Sequence, residues 1–125
     1  MKKLEGRSIL VVDDEDLIRE LFLEELASAG AQVDFAENGK LAVEKISRTL
    51  FDVIVTDYRM PVCDGLAMAK IIQSKIITKP KIIMCTGYAK DLDADEVKKS
   101  GISLVIEKPF ELRSVVDTIV SLLSK

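Results

Sequence analysis

A doubly wound α/β domain, with one five-stranded parallel sheet covered by helices on both faces, is the fold class this chain predicts. Three observations carry that expectation. Five short apolar runs recur along 125 residues, each followed by a segment with helical periodicity. Three of the runs, ILVV, VIV and KIIM, are continuously apolar rather than alternating, as strands are when both faces of a parallel sheet are covered. Strand alternating with helix five times requires crossover connections, which are right-handed, and places ligands outside the carboxyl ends of the strands.

Taken in order, the first strand is Ser8–Asp13, which runs into the acids Asp13-Asp14-Glu15-Asp16. Asp16 stands where it would cap a helix beginning near Leu17, with Glu15 facing water. Ile18, Leu21, Phe22, Leu26 and Ala29 then recur at helical spacing, and Gly30 stands where that helix stops. The second strand is Gln32–Ala36, the third Asp52–Asp57, the fourth Lys81–Cys85 and the fifth Leu104–Glu107. Asp64 and Asp91 occupy capping positions for the helices that follow them, and Gly101 a stop position. The segment Asp91–Ser100 has only Ala94 and Val97 to anchor it, so it is expected to be the most mobile element. Leu112, Val115, Val116, Ile119 and Leu123 mark a last helix over Glu111–Leu123.

Length and composition set the outer bounds. A chain of 125 residues, 48 % hydrophobic and 31 % charged, suits one globular domain over residues 1–125. No apolar run approaches the ~18 residues that span a bilayer, and Met1–Glu5 leads into no signal-like segment, so a cytoplasmic protein without membrane insertion is expected. A formal charge of −3 argues against direct nucleic-acid binding, which needs a basic face. Cys63 and Cys85 lie far apart without a CxxC spacing and read as buried free thiols. The chain has no histidine, so no histidine-based triad, imidazole metal ligand or intrinsic phosphohistidine is available.

What remains for chemistry sits at the strand ends. Asp13 and Asp14, Asp57, Thr86 and Lys108 all stand at or just after the end of a strand, so the fold brings carboxylates, a hydroxyl and an ammonium to one edge of the sheet. Carboxylates crowded together raise one another's pKa or require a cation. An all-oxygen set favours a hard ion, and a few carboxylates with water suit Mg²⁺; helix caps and local turns are the alternative use of the same acids. Lys108 either neutralises Asp57 by a salt bridge or, with the metal, holds an anionic group transferred to Asp57 while Thr86 donates a hydrogen bond to it.

The fragments VVDDE, VIVTDYRMPVCDG, IIMCTGY and VIEKPF, in this order, resemble the receiver domain of two-component response regulators over essentially the whole chain. The resemblance implies the flavodoxin-like strand order 2-1-3-4-5. It also implies Asp57 as phosphoacceptor, with an Mg²⁺ ion held by Asp14 directly, by Asp13 largely through water, by Asp57 and by the backbone carbonyl of Arg59. Thr86 and Lys108 would then grasp the phosphoryl group, and the Lys108-Pro109 bond would be cis. A histidine kinase or histidine phosphotransfer protein is the implied donor. The chain reads as a stand-alone receiver whose target docks on the face of the fourth helix, fifth strand and fifth helix.

One position departs from the pattern: Val105 stands where the family usually has Tyr or Phe, three residues before the lysine. That aromatic ring turns inward as the threonine moves, and valine has neither the ring nor the rotamer range to do so. Tyr88, two residues after Thr86, is a candidate substitute or a cover for the site, and Arg59 a candidate partner for the phosphoryl face. An aspartate-nucleophile phosphohydrolase is disfavoured because Arg59 stands where its second aspartate would be. A nucleotide or flavin binder is disfavoured because no phosphate-cradling glycine loop follows any strand.

Overall fold

Alternation along each central strand decides which helix it meets. In a strand successive side chains point to opposite faces, and in the computed structural model the run Ile9-Leu10-Val11-Val12 is divided accordingly. Leu10 and Val12 pack with Ile54, Met84, Ala42, Met68 and Ile72 on one face. Ile9 and Val11 pack with Val55, Ile83, Phe22, Leu26 and Ile119 on the other. The structure describes residues 2–87 and 89–124, the side chain of Asp91 excepted.

The elements are β1 (Ser8–Val12), α1 (Asp16–Ser28), β2 (Gln32–Ala36), α2 (Gly39–Arg48), β3 (Val53–Asp57), α3 (Gly65–Lys75), β4 (Lys81–Thr86), a 3₁₀ turn (Ala89–Asp91), α4 (Ala94–Lys99), β5 (Leu104–Glu107) and α5 (Leu112–Leu123). All strand pairs are parallel and the order is β2-β1-β3-β4-β5, as expected. The order reverses at β1, whose neighbours are β2 and β3, and the crevice at that point lies beyond the carboxyl ends of β1 and β3. Register brings those ends level: Val12 pairs with Thr56, Asp57 with Cys85, and Thr86 with Glu107.

Several local expectations are corrected. Asp16 is the first residue of α1 rather than its cap; Glu15 holds that position and its side chain makes no capping bond. Asp16 instead accepts a hydrogen bond from Arg19 at 2.7 Å. Leu21 is 43 % exposed because the buried stripe of α1 is built from Arg19, Phe22 and Leu26. Asp64 does cap α3, accepting from the Ala67 N–H at 2.8 Å, but α4 is capped by Asp93, and Asp91 belongs to the preceding 3₁₀ turn. The segment expected as one helix over Asp91–Ser100 is therefore shorter, and none of its helical residues is buried. Gly30 and Gly101 adopt φ of 97° and 86°, the left-handed conformation that ends a helix.

Candidate functional site

β1 carries its direction one residue past the last ladder pair. The Asp13 N–H donates to the Ala36 carbonyl of β2 at 3.2 Å, so this residue leaves the sheet under control of its neighbour. Its carboxylate turns back to accept the Glu15 N–H at 2.9 Å, satisfying one of the open donors before α1. Asp13 is buried and Asp14, the next residue, is exposed. Burial pushes the Asp13 carboxyl up to about 6; the Glu15 N–H and Lys108 oppose that rise, and the charges of Asp57 and Asp14 add to it.

Asp57 ends β3. Its Oδ1 accepts from its neighbour's backbone, the Tyr58 N–H, at 2.9 Å and from Lys108 Nζ at 3.0 Å. The chain then turns sharply: Gly65 N donates to the Tyr58 carbonyl at 2.8 Å, closing the loop that leads into α3. A side chain at Gly65 would bring a Cβ to 2.5 Å from the Asp57 carbonyl, so only glycine allows α3 to start this close to the strand end. Arg59 is exposed and lines a cleft with Tyr58, Met60, Pro61 and Asp64. The thiols divide: Cys85 is buried as expected, and burial pushes it up to about 12, whereas Cys63 is only half-buried.

The carboxylate oxygens of Asp13, Asp14 and Asp57 lie within 4.8 Å of one another. Three hard oxygen donors gathered there, with no imidazole or thiolate among them, are the donor type that Mg²⁺ takes. Lys108 faces this cluster after β5. Burial alone would lower its ammonium pKa, but the hydrogen bond to Asp57 and the charges of Asp57 and Asp13 hold it above the ordinary value. The Lys108 N–H donates to the Thr86 carbonyl at 2.9 Å, tying the ends of β4 and β5 together, and the Lys108-Pro109 bond is cis. Thr86 is itself buried, one residue beyond the ladder partner of Asp57.

The model of the response regulator receiver domain matches residues 9–120. The chain belongs to this family. It is 33 % identical to the chemotaxis protein CheY of Halobacterium salinarum over 95 % of this chain and 98 % of that protein. It is likewise 33 % identical to CheY of Thermotoga maritima, over 91 % and 95 % respectively. Other relatives are longer: the chain spans 22 % of the regulatory protein AtoC of Escherichia coli. The solved CheY4 of Vibrio cholerae superposes with a TM-score of 0.83 at 29 % identity, covering 93 % of this chain and 98 % of that one. The receiver domain of the sensor histidine kinase PA1611 of Pseudomonas aeruginosa, described with a magnesium ion coordinated in its active-site cleft, superposes with 0.82 at 27 % identity, covering 94 % and 96 %.

In this receiver domain, of CheY-like type, Asp13, Asp14, Asp57 and Lys108 converge as the sequence leads one to expect. Val105 is half-buried, paired with Met84 in the ladder, and packs against the core rather than standing as a ring beside the site. Tyr88, the proposed substitute, lies outside the described residues. Two features were missed. Arg19 is buried beneath the acidic turn, and its signal was available as a charge three residues before Phe22 and seven before Leu26, on the apolar stripe. Val62 takes φ of 72°, and nothing in its residue type announces that. Among the described residues, no helix is long and apolar enough to cross a membrane.

Proposed function

We propose that Asp57 accepts a phosphoryl group from a partner's phosphohistidine or from a small acyl phosphate, and that the modified domain presents an altered face to a downstream protein. The observation that carries this reading is the triad of carboxylates within 4.8 Å, with Lys108 Nζ 3.0 Å from Asp57, in a chain of the receiver family. Two donors already engage Asp57 Oδ1, so the attack on phosphorus is assigned to Oδ2. A P–O bond to Asp57 forms as the P–N or P–O bond of the donor breaks; a leaving imidazole takes its proton from water. Asp13, Asp14, Asp57 and the Arg59 carbonyl would hold Mg²⁺, which when bound neutralises charge on the transferring phosphoryl oxygens.

Lys108 then exchanges its bond to the Asp57 carboxylate for one to a phosphoryl oxygen, and the Thr86 hydroxyl donates to another. The side chain of Arg59, at the rim, shields the acyl phosphate. The domain catalyses its own modification and is not a turnover enzyme. The downstream partner docks on α4, β5 and α5, and on the α4–β5 side of that face Leu92, Val97, Leu104 and Val105 line an open groove. With Val105 in the ladder, the change reaches that groove by displacement of β4 and β5 backbone rather than by a ring at position 105.

The test is incubation of the chain with acetyl phosphate and Mg²⁺ followed by intact mass. The wild type gains one phosphoryl group, Asp57→Asn gains none, and Lys108→Ala gains it much more slowly. Undiminished gain in Asp57→Asn would remove Asp57 from the reaction.

A further inference from the structure

An arginine on the buried stripe of a helix must be held, because an unpaired guanidinium in the interior carries a large desolvation penalty. Arg19 of α1 is 8 % exposed, and three groups hold it. Nη1 donates to the main-chain carbonyl of Asp13 at 3.0 Å, and Nη2 to Asp16 Oδ1 at 2.7 Å. The Phe35 ring of β2 lies against it with the centroid 4.8 Å from Cζ. Lys45 of α2 approaches the same ring at 5.0 Å, itself anchored by Asp34 and the Phe35 carbonyl. The brace thus runs from α1 across the edge strand to α2 and ends on Asp13.

Asp13 is restrained at three points. Its N–H is bound to Ala36, its carboxylate to the Glu15 N–H, and its carbonyl to Arg19. The first two partners are backbone; the third is a side chain, and so a substitution can remove it. A planar guanidinium can bond the Asp13 carbonyl and the Asp16 carboxylate at once in fixed geometry, which an ammonium cannot reproduce.

We propose that Arg19 is a positioning residue for the divalent-cation site, setting the turn from which Asp13 and Asp14 present their carboxylates. This rests on the reading of the acidic cluster as an Mg²⁺ site. Three possible roles of Arg19 differ in the sign of one measurement. If it acted only as a nearby cation, removing it would tighten Mg²⁺ binding by lifting a like-charge repulsion. If it only stabilised the fold, the unfolding midpoint would fall and affinity would stay. A positioning role weakens the affinity, as loss of groups that orient metal ligands does.

Mg²⁺ affinity is measured on the full chain by titration calorimetry, and Mn²⁺ affinity by electron paramagnetic resonance, for wild type, Arg19→Gln, Arg19→Lys and Phe35→Leu. Lys3→Ala, at a remote surface pair, controls for loss of one charge. Both Arg19 variants are expected to bind about tenfold more weakly, Phe35→Leu roughly two- to fivefold more weakly, and Lys3→Ala like wild type. Phosphorylation from acetyl phosphate returns toward the wild-type rate when Mg²⁺ saturates. Unchanged or tighter binding in Arg19→Lys overturns the proposal, and so does unchanged binding in Phe35→Leu if Arg19→Gln and Arg19→Lys do not fold. A wild type that binds neither ion overturns the Mg²⁺ reading and this inference together. A wild type that binds Mg²⁺ and takes the phosphoryl group, with Arg19 variants that match it, overturns only the role of Arg19.

Discussion

Asp13 is the deeply buried acid of the cluster, and its ionisation decides when the cluster offers its full charge. Its carboxyl is raised from 3.8 to about 6, so between those values the folded chain holds a proton that the unfolded chain has lost. The sign follows from linkage: for this group alone, stability of the metal-free protein declines as pH rises from about 4 to about 6 and is level above. Cation binding must displace the same proton, so Mg²⁺ affinity is expected to fall as pH drops below about 6, by up to about tenfold per pH unit. Calorimetric titrations between pH 5 and 8 check this, and a flat profile would overturn the coupling of cation binding to the Asp13 proton. Val62 offers a separate residue-scale prediction. A β-branched side chain at φ 72° is strained, and at 77 % exposure it gains little packing in return. Val62→Gly should stabilise the chain by about 0.5–1 kcal/mol, the strain relief outweighing the entropy of glycine, and urea unfolding would register it as a higher midpoint.

At the scale of elements, the start of α3 controls the position of Asp57. A Cβ added at Gly65 would meet the Asp57 carbonyl, Met84 Sδ and Tyr58 Cα, and two of those three atoms are backbone that cannot swing aside. Gly65→Ala should therefore cost about 1–3 kcal/mol and slow phosphoryl uptake, both readable on one preparation by urea unfolding and intact mass. A normal uptake rate in a destabilised Gly65→Ala would show that the strand end does not depend on this helix. The long periodic elements were legible: the stripe of α5 and the continuous runs of β1, β3 and β4 are intrinsic patterns that no neighbour has to complete. The caps were less so. Asp91 and Asp93 are equally good capping residues by type, and the short 3₁₀ turn over Ala89–Asp91 decides between them. Asp16 lost its capping role for a comparable reason: Arg19, one turn later, takes its carboxylate at 2.7 Å.

For the whole molecule, two cores on opposite faces of one sheet hold the ends of β1, β3, β4 and β5 level, so the site is a property of strand register rather than of any one loop. A ligand that binds only the assembled edge must stabilise the entire fold. At Mg²⁺ tenfold above its dissociation constant the gain should be about 1.4 kcal/mol, seen as a higher urea midpoint at pH 7.5. It should shrink at pH 5 and vanish in Asp14→Asn combined with Asp57→Asn; a gain that survives in that variant would place the ion elsewhere. By itself the sequence determined the strand-helix alternation, the residue types at the strand ends and the family, because periodicity and motif order are local properties of the chain. Only the tertiary structure decided which acids are buried, that Lys108 lies against Asp57, that Val105 is spent in the ladder, and that Arg19 reaches under Asp13. Each of those depends on distances between segments far apart in the chain, and burial and Coulombic interaction are set by such distances, not by residue type.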